Sequence, residues 1–187
     1  MTNTNVSVCN QALGMIGAKS IISFDENTEN ARRCAAIYDA TRKALLRMHP
    51  WSFAKSREQL APIATHPTFG YQHAFPLPKD FMRIIDTGQI EYEIEGRHIL
   101  ANTNLINLVY VRDEQNEEMW DSLFSECMAL YLVNKLAKPI TGSNAEGDSA
   151  WQKLQIKLKQ ARAINGQERP SQDFAANYEP HLWGVRY

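Results

Sequence analysis

Apolar residues recur at helical spacing in four stretches of the chain, and at strand spacing in the stretch between the second and the third. Val8, Ala12, Met15 and Ile16 open the series and predict a short helix from about Ser7 to Ile16, stopped by Gly17. The segment IISFDENTEN follows as a loop, with Asn27 and Thr28 placed to cap the next element. Ala31, Cys34, Ala35, Tyr38, Thr41, Leu45 and Met48 then repeat at helical steps, while Arg32, Arg33, Asp39, Arg42, Lys43 and Arg47 fall on other faces. This is an amphipathic helix of about five turns. Pro50 ends it, because a residue preceding proline, here His49, is pushed out of the α region.

From Trp51 the period changes. Pro62, Pro67, Pro76 and Pro78 punctuate short alternating runs: FMRIID, IEYEIEG, RHILAN and LINLVYVRD. The piece YEIEGRHILA reads as a hairpin with Glu95-Gly96 at its turn. LINLVYV has the β-branched and aromatic content of a buried strand.

Helical spacing returns after Asp113. Trp120, Leu123, Phe124, Cys127, Met128, Tyr131, Leu132 and Leu136 form a wide apolar stripe. Glu114, Glu117 and Glu118 are expected in its first turns and Lys135 and Lys138 in its last, as the helix dipole favours, with Pro139 and Gly142 closing it. A fourth helix is expected from Ser143 or Asn144 to Asn165-Gly166, with Gly147, Ala150, Trp151, Leu154, Leu158 and Ala161 on one face. The last 21 residues, 167–187, show no period yet carry Phe174, Tyr178, Trp183 and Tyr187, an aromatic content foreign to disordered tails. They read as an extended arm that docks on a partner.

The predicted class is α+β, mainly α. Helices over 1–50 and 113–166 pair into a bundle, because each must bury its stripe. A β-rich insertion spans 51–112, and the extended arm spans 167–187.

Composition narrows the class without naming a chemistry. The chain has 187 residues, is 44% hydrophobic and 22% charged, and carries a net charge of −1. A chain of this length buries roughly 70% of its unfolded surface, so it folds without a metal or disulfide. The start, MTNTNVSVCN, lacks the basic and apolar regions of a secretory signal, and no run approaches a membrane span. Cys9, Cys34 and Cys127 stand far apart at apolar helical positions, so they read as buried thiols in a reducing cytosol.

Candidate chemistry is thin. His49, Trp51 and Ser52 in RMHPWSFAKS invite a catalytic reading, but there is no G-x-S-x-G elbow. A seam accounts for the same residues: Pro50 breaks the helix, and Trp51 and Phe53 plug the junction with the β layer. The five histidines show no metal-binding helical pair, GMIG crosses a helix end, and TGSNAEG lacks a phosphate-loop lysine. Glu91, Glu93 and Glu95 alternate on one expected strand face, the one arrangement that suits a glycosidase-type carboxylate pair.

Local charge says more than net charge. Between Asp86 and Asp121 lie nine acids against Arg97 and Arg112, a balance of seven negative. The second helix carries five basic residues against Glu29 and Asp39, and Lys153, Lys157, Lys159 and Arg162 have no acid among them. Two solvated faces would produce this pattern. So would head-to-tail subunit packing, acidic region on basic helix, which generates a ring when the rotation closes. The basic helices lack a helix-turn-helix signature or aromatic–basic interleaving for DNA.

NQALGMIGAKSIISF followed by ENARRCAAIYDATRKALLRMHPWSFA resembles the tubular protein A family of short-tailed bacteriophages, whose relatives include head–tail adaptor (connector) proteins of other tailed phages. The similar features are the short helix ending in Gly, the "NARR" helix, the Trp-x-Phe after it, and a "YVRD" strand before an acidic, Trp-containing helix. The likeness is good from Asn10 to Phe53 and loose from Leu105 to Gly142. It rests on Ala12, Leu13, Gly17, Ala31, Arg32, Arg33, Trp51, Phe53, Tyr110 and Trp120.

The resemblance implies a structural virion protein of the tail or neck, assembled in the host cytoplasm, with no cofactor and no catalytic residue. Such proteins form a ring, typically of twelve copies, beneath the portal. The ring extends the DNA channel, through which genomic DNA passes without sequence-specific binding, and offers a platform for tail or nozzle proteins. On that reading Phe174, Tyr178, Trp183 and Tyr187 dock on the portal protein, and Arg32, Arg33, Arg42 and Lys157 lie at subunit interfaces. The competing readings are a tail-associated cell-wall hydrolase using Glu91 or Glu93, and a small DNA-binding protein.

Overall fold

The computed structural model describes residues 4–167, and within them the fold is mixed α+β: four helices and two small antiparallel sheets. Of the expected arm only Gln167 falls inside that span; Phe174, Tyr178, Trp183 and Tyr187 lie outside the described residues.

Helix α1 (Asn5–Met15) begins two residues earlier than the apolar pattern alone predicts. Thr4 and Ser7 form a reciprocal capping box, with the Ser7 N–H donating to Thr4 Oγ1 at 3.1 Å and the Thr4 N–H to Ser7 Oγ at 2.9 Å. Gly17 follows its end at φ +68, where a side chain would be strained. Helix α2 (Glu29–Met48) starts after Thr28, whose hydroxyl accepts from the Ala31 N–H, and stops where His49 turns extended (φ −147, ψ 143) ahead of Pro50.

The chain then makes one 3₁₀ turn, Ser52–Ala54, and enters the strands. These are β1 (Lys55–Leu60), β2 (His73–Pro76), β3 (Phe81–Asp86), β4 (Tyr92–Glu95), β5 (His98–Ala101) and β6 (Ile106–Arg112). One sheet runs β1-β6-β3 and the other β2-β5-β4, and every pairing is antiparallel. The β4–β5 hairpin turns one residue later than expected. Glu95 pairs with His98, so Gly96 and Arg97 form the turn, and Gly96 takes φ +57 at its first position as a type II′ geometry requires.

Helix α3 (Ser122–Thr141) differs from expectation at both ends. It begins after Asp121, whose Oδ1 accepts from the Phe124 N–H at 2.6 Å. Glu114, Glu117 and Glu118 therefore lie in the preceding link and not in a first helical turn. Asn116 holds that link in a short 3₁₀ turn by accepting from the Glu118 N–H. Pro139 sits inside the last turn, where it forfeits one intrahelical hydrogen bond, and Gly142 (φ +77) closes the helix by donating to the Lys138 carbonyl. Helix α4 (Ala145–Gln167) runs past Asn165-Gly166 to the limit of the described residues.

Two cores result. In the first, α3 is central and is packed by α1, α2 and α4. Leu13, Cys34, Leu45, Trp51, Phe124, Met128 and Leu132 are buried there, and Val111 of β6 joins them. The second core lies among the strands: Leu60, Phe75, Leu77, Ile99, Ile106, Leu108 and Tyr110. Ile106, Leu108 and Tyr110 alternate toward the strand core and Val111 toward the helices, which is the period of two that lets one strand serve both layers. Trp51 seals the junction between α2 and β1. It is buried, donates from Nε1 to the Leu45 carbonyl at 3.2 Å, and meets the rings of His49 and Phe124 edge-on at 4.9 and 5.0 Å.

Candidate interaction surfaces

A cleft of about 660 Å³ opens between the β4–β5 hairpin and the loop joining β1 to β2. Its walls have opposite characters. The loop brings Ile63, His66, Phe69 and Tyr71; the hairpin brings Glu93, Glu95, His98 and Leu100. The loop is fastened at its ends: the Ile63 N–H donates to the Ala74 carbonyl, the Gln72 N–H to Asn102 Oδ1, and His66 Nδ1 meets the Gln72 carbonyl at 2.7 Å. Phe69 is nonetheless 87% exposed, its ring open to solvent at the rim of the cleft.

Glu93 and Glu95 share a strand face because β4 alternates, while Glu91 precedes the strand and does not line the cleft. All three are exposed, and none makes an ion pair among the described residues. β4 is also an edge strand, paired only with β5, and its four residues are exposed.

The basic residues divide into engaged and available groups. Arg42 is buried, 4% exposed, and its guanidinium meets Asp113 at 3.0 Å and Asp39 at 3.5 Å. It locks α2 to the link before α3, so its charge is committed within the chain instead of facing a neighbour. Tyr38 completes that lock by donating to Glu117 Oε1 at 3.0 Å; burial and the Glu117 charge push its phenol well above the usual range. Arg33 is partly exposed, bonds the Pro139 carbonyl and pairs with Glu29, tying α2 to the end of α3. Arg32 is exposed and donates to Asn27. Lys157 pairs with Glu126 of α3 at 3.0 Å. Lys159 and Arg162 of α4 are exposed and make no ion pair among the described residues.

His49 and Ser52, on either side of the Pro50-Trp51 pair, border a smaller hollow of about 240 Å³ with Phe53, Asp121 and Ile164. His49 is buried, and that burial, with the positive charges of Arg162, Lys55 and Arg83, lowers its pKa to about 4. Its imidazole is neutral at physiological pH. All three cysteines are buried free thiols. A hydrogen bond with Cys34, then burial, push the Cys9 thiol up; burial pushes Cys127 up to about 12.

No protein-family model matches the chain, and no curated protein matches it either.

Six of the ten residues behind the phage resemblance gather at the helical core, while Tyr110 lies in the strand core and Arg32 is exposed. Ala12, Leu13, Ala31, Trp51 and Trp120 are all buried in the helical core, and Phe53 packs against it. The Tyr38 and Trp120 rings stack at 6.5 Å, and Phe124 meets Trp51, Phe53 and Trp120 edge-on at 4.7–5.0 Å. What sequence reasoning missed is the loop wall of the cleft. The signal was present in APIATHPTFGYQ, a Pro- and Gly-punctuated segment that still spends two aromatic residues.

Proposed function

We propose that this chain is a structural head–tail adaptor of a tailed-bacteriophage virion, a bundle of N- and C-terminal helices with a β-rich insertion and a docking arm. It assembles as a ring beneath the portal, extends the DNA channel and carries tail proteins. The observation that carries the reading is the convergence just described. Six of the ten residues shared with the tubular protein A pattern, separated by as much as 108 positions from Ala12 to Trp120, pack in or against the helical core. Segregation of exposed acids onto the hairpin and exposed cations onto α4 supports subunit contacts between unlike surfaces. The arm over 167–187 is the portal-binding element in this reading, with Phe174, Tyr178, Trp183 and Tyr187 as its anchors. Aromatic residues of this kind supply most of the energy where an extended segment meets a groove.

Negative-stain imaging of the purified chain with its neighbouring virion proteins tests the proposal. Symmetric annuli at the portal are the expected result. Deleting residues 168–187 is expected to abolish assembly while leaving the thermal unfolding transition in place. Normal particles after that deletion would remove the arm from the mechanism.

A second reading has one observation in its favour: Glu93 and Glu95 both line the cleft of about 660 Å³, as a pair of glycosidase carboxylates would. A zymogram on bacterial cell wall with the wild type and Glu93→Gln decides it. Clearing that the substitution removes would replace the adaptor reading with a hydrolase; no clearing disposes of the hydrolase.

A further inference from the structure

We propose that the acidic cleft receives the basic flank of α4 from a second copy of this chain. The inference rests on the ring reading above and names the contact that would build the ring. Three features of the cleft select its occupant. Two carboxylates that make no ion pair among the described residues, Glu93 and Glu95, call for cations. The apolar wall of Ile63, Phe69 and Tyr71 calls for aliphatic stems below those cations. The exposed Phe69 ring offers a face on which a guanidinium can stack. Lys and Arg side chains combine an apolar stem and a charged head in this way.

The chain carries a matching surface on another element. Trp151, Gln155, Lys159 and Arg162 follow one another along one flank of α4 at steps of four, four and three, and all are exposed. The Trp151 ring lies 5.7 Å from Tyr131, at the border of the buried face, so the stripe has an apolar end and a basic end. Carboxylates two residues apart on a strand stand roughly 6.6–7 Å apart. Residues three apart on a helix face stand roughly 5–6 Å apart. Glu93 and Glu95 can therefore meet Lys159 and Arg162 one to one.

A copy does not meet this need internally, because α4 packs on α3 while the cleft belongs to the β2-β5-β4 sheet. Nor does the cleft suit its own image, which would set four carboxylates against each other. The contact joins unlike surfaces, so it propagates head to tail and closes as a ring when the rotation allows.

The test uses the full chain in sedimentation velocity at about 50 mM salt, where surface charges are weakly screened. Concentration-dependent association is expected. Glu93→Lys/Glu95→Lys and Lys159→Glu/Arg162→Glu should each weaken it about tenfold or more, and an equimolar mixture of the two should restore it. Glu118→Lys, a charge change outside both surfaces, should leave it unchanged. The neutral pair Glu93→Gln/Glu95→Gln serves if the reversed charges disturb the hairpin. Carbodiimide coupling of isotope-labelled to unlabelled chain should join Glu93 or Glu95 of one copy to Lys159 of another. A chain that stays monomeric at every concentration, or double variants that associate like the wild type, overturns the contact. Rings seen at the portal with both variants would overturn it while leaving the adaptor reading standing. Charge-swap rescue without portal rings would support the contact and sink the adaptor reading.

Discussion

Acid should unfold this protein through His49 more than through any exposed group. The imidazole is 3% exposed and its pKa falls from 6.5 to about 4, first by burial, then by the charges of Arg162, Lys55 and Arg83. The unfolded chain binds a proton at this site near pH 6.5, while the folded chain refuses it until about pH 4. Between those values the unfolded state holds more protons, so stability rises with pH and is lost as pH falls. The full shift corresponds to ~3 kcal/mol, and ~1.4 kcal/mol of it is gone by about pH 5.5. For a chain of this size that is a fall in Tm of roughly 3–6 °C. The assay is urea and thermal unfolding from about pH 7.5 to 4.5, followed by circular dichroism and by tryptophan fluorescence, to which Trp51 contributes with its ring centroid 4.9 Å from that of His49. His49→Gln removes the titrating group and should flatten the stability profile between about pH 6.5 and 4.5 by the same ~1–3 kcal/mol. A variant that loses stability with acid as steeply as the wild type would refute the reasoning.

Three other perturbations test the structure directly. Arg42→Ala removes the nearer of the two cations at Asp113, leaving Lys43 at 3.7 Å, and should cost up to about 3 kcal/mol in urea unfolding, whereas Arg42→Met combined with Asp113→Leu should recover most of that loss; equal losses would show that the pair is not coupled. Gly147 lets α4 lie on α3: a Cβ there would meet Ala137 Cβ and Asn134 O at 3.3 Å. Gly147→Leu should therefore lower stability by about 1–3 kcal/mol by calorimetry, and a neutral result would mean the helices can part freely. The three buried thiols should react with a disulfide reagent at pH 8 only as fast as the protein opens, and within seconds in denaturant; fast native labelling of Cys127, whose thiol burial holds near 12, would contradict its burial.

Helix existence was legible in the sequence because it is a local property. The apolar steps from Ala31 to Met48, the cap at Thr28 and the stop at Pro50 together define α2, and they do so without help from distant residues. The acidic character of Glu93 and Glu95, the cation-rich α4 and the buried thiols were likewise readable from residue type and spacing. Element ends were less so, since they depend on which of several polar side chains wins a backbone N–H. Asp121 and not Asp113 starts α3.

Tertiary structure alone decided the rest. KSREQL has no apolar alternation, and it is a strand only because β6 offers it a ladder from Lys55↔Val111 to Leu60↔Ile106. Arg42 looks like any surface arginine in a helical pattern, yet Asp113, 71 positions away, folds over it and makes it a lock. The cleft between the 61–72 loop and the hairpin exists only once β2 pairs with β5, because no local signal brings Phe69 opposite Glu93. Spacing along a chain specifies what a segment can become; which distant segment covers it is set by packing, where each pairing must beat the entropy of closing the loop between them.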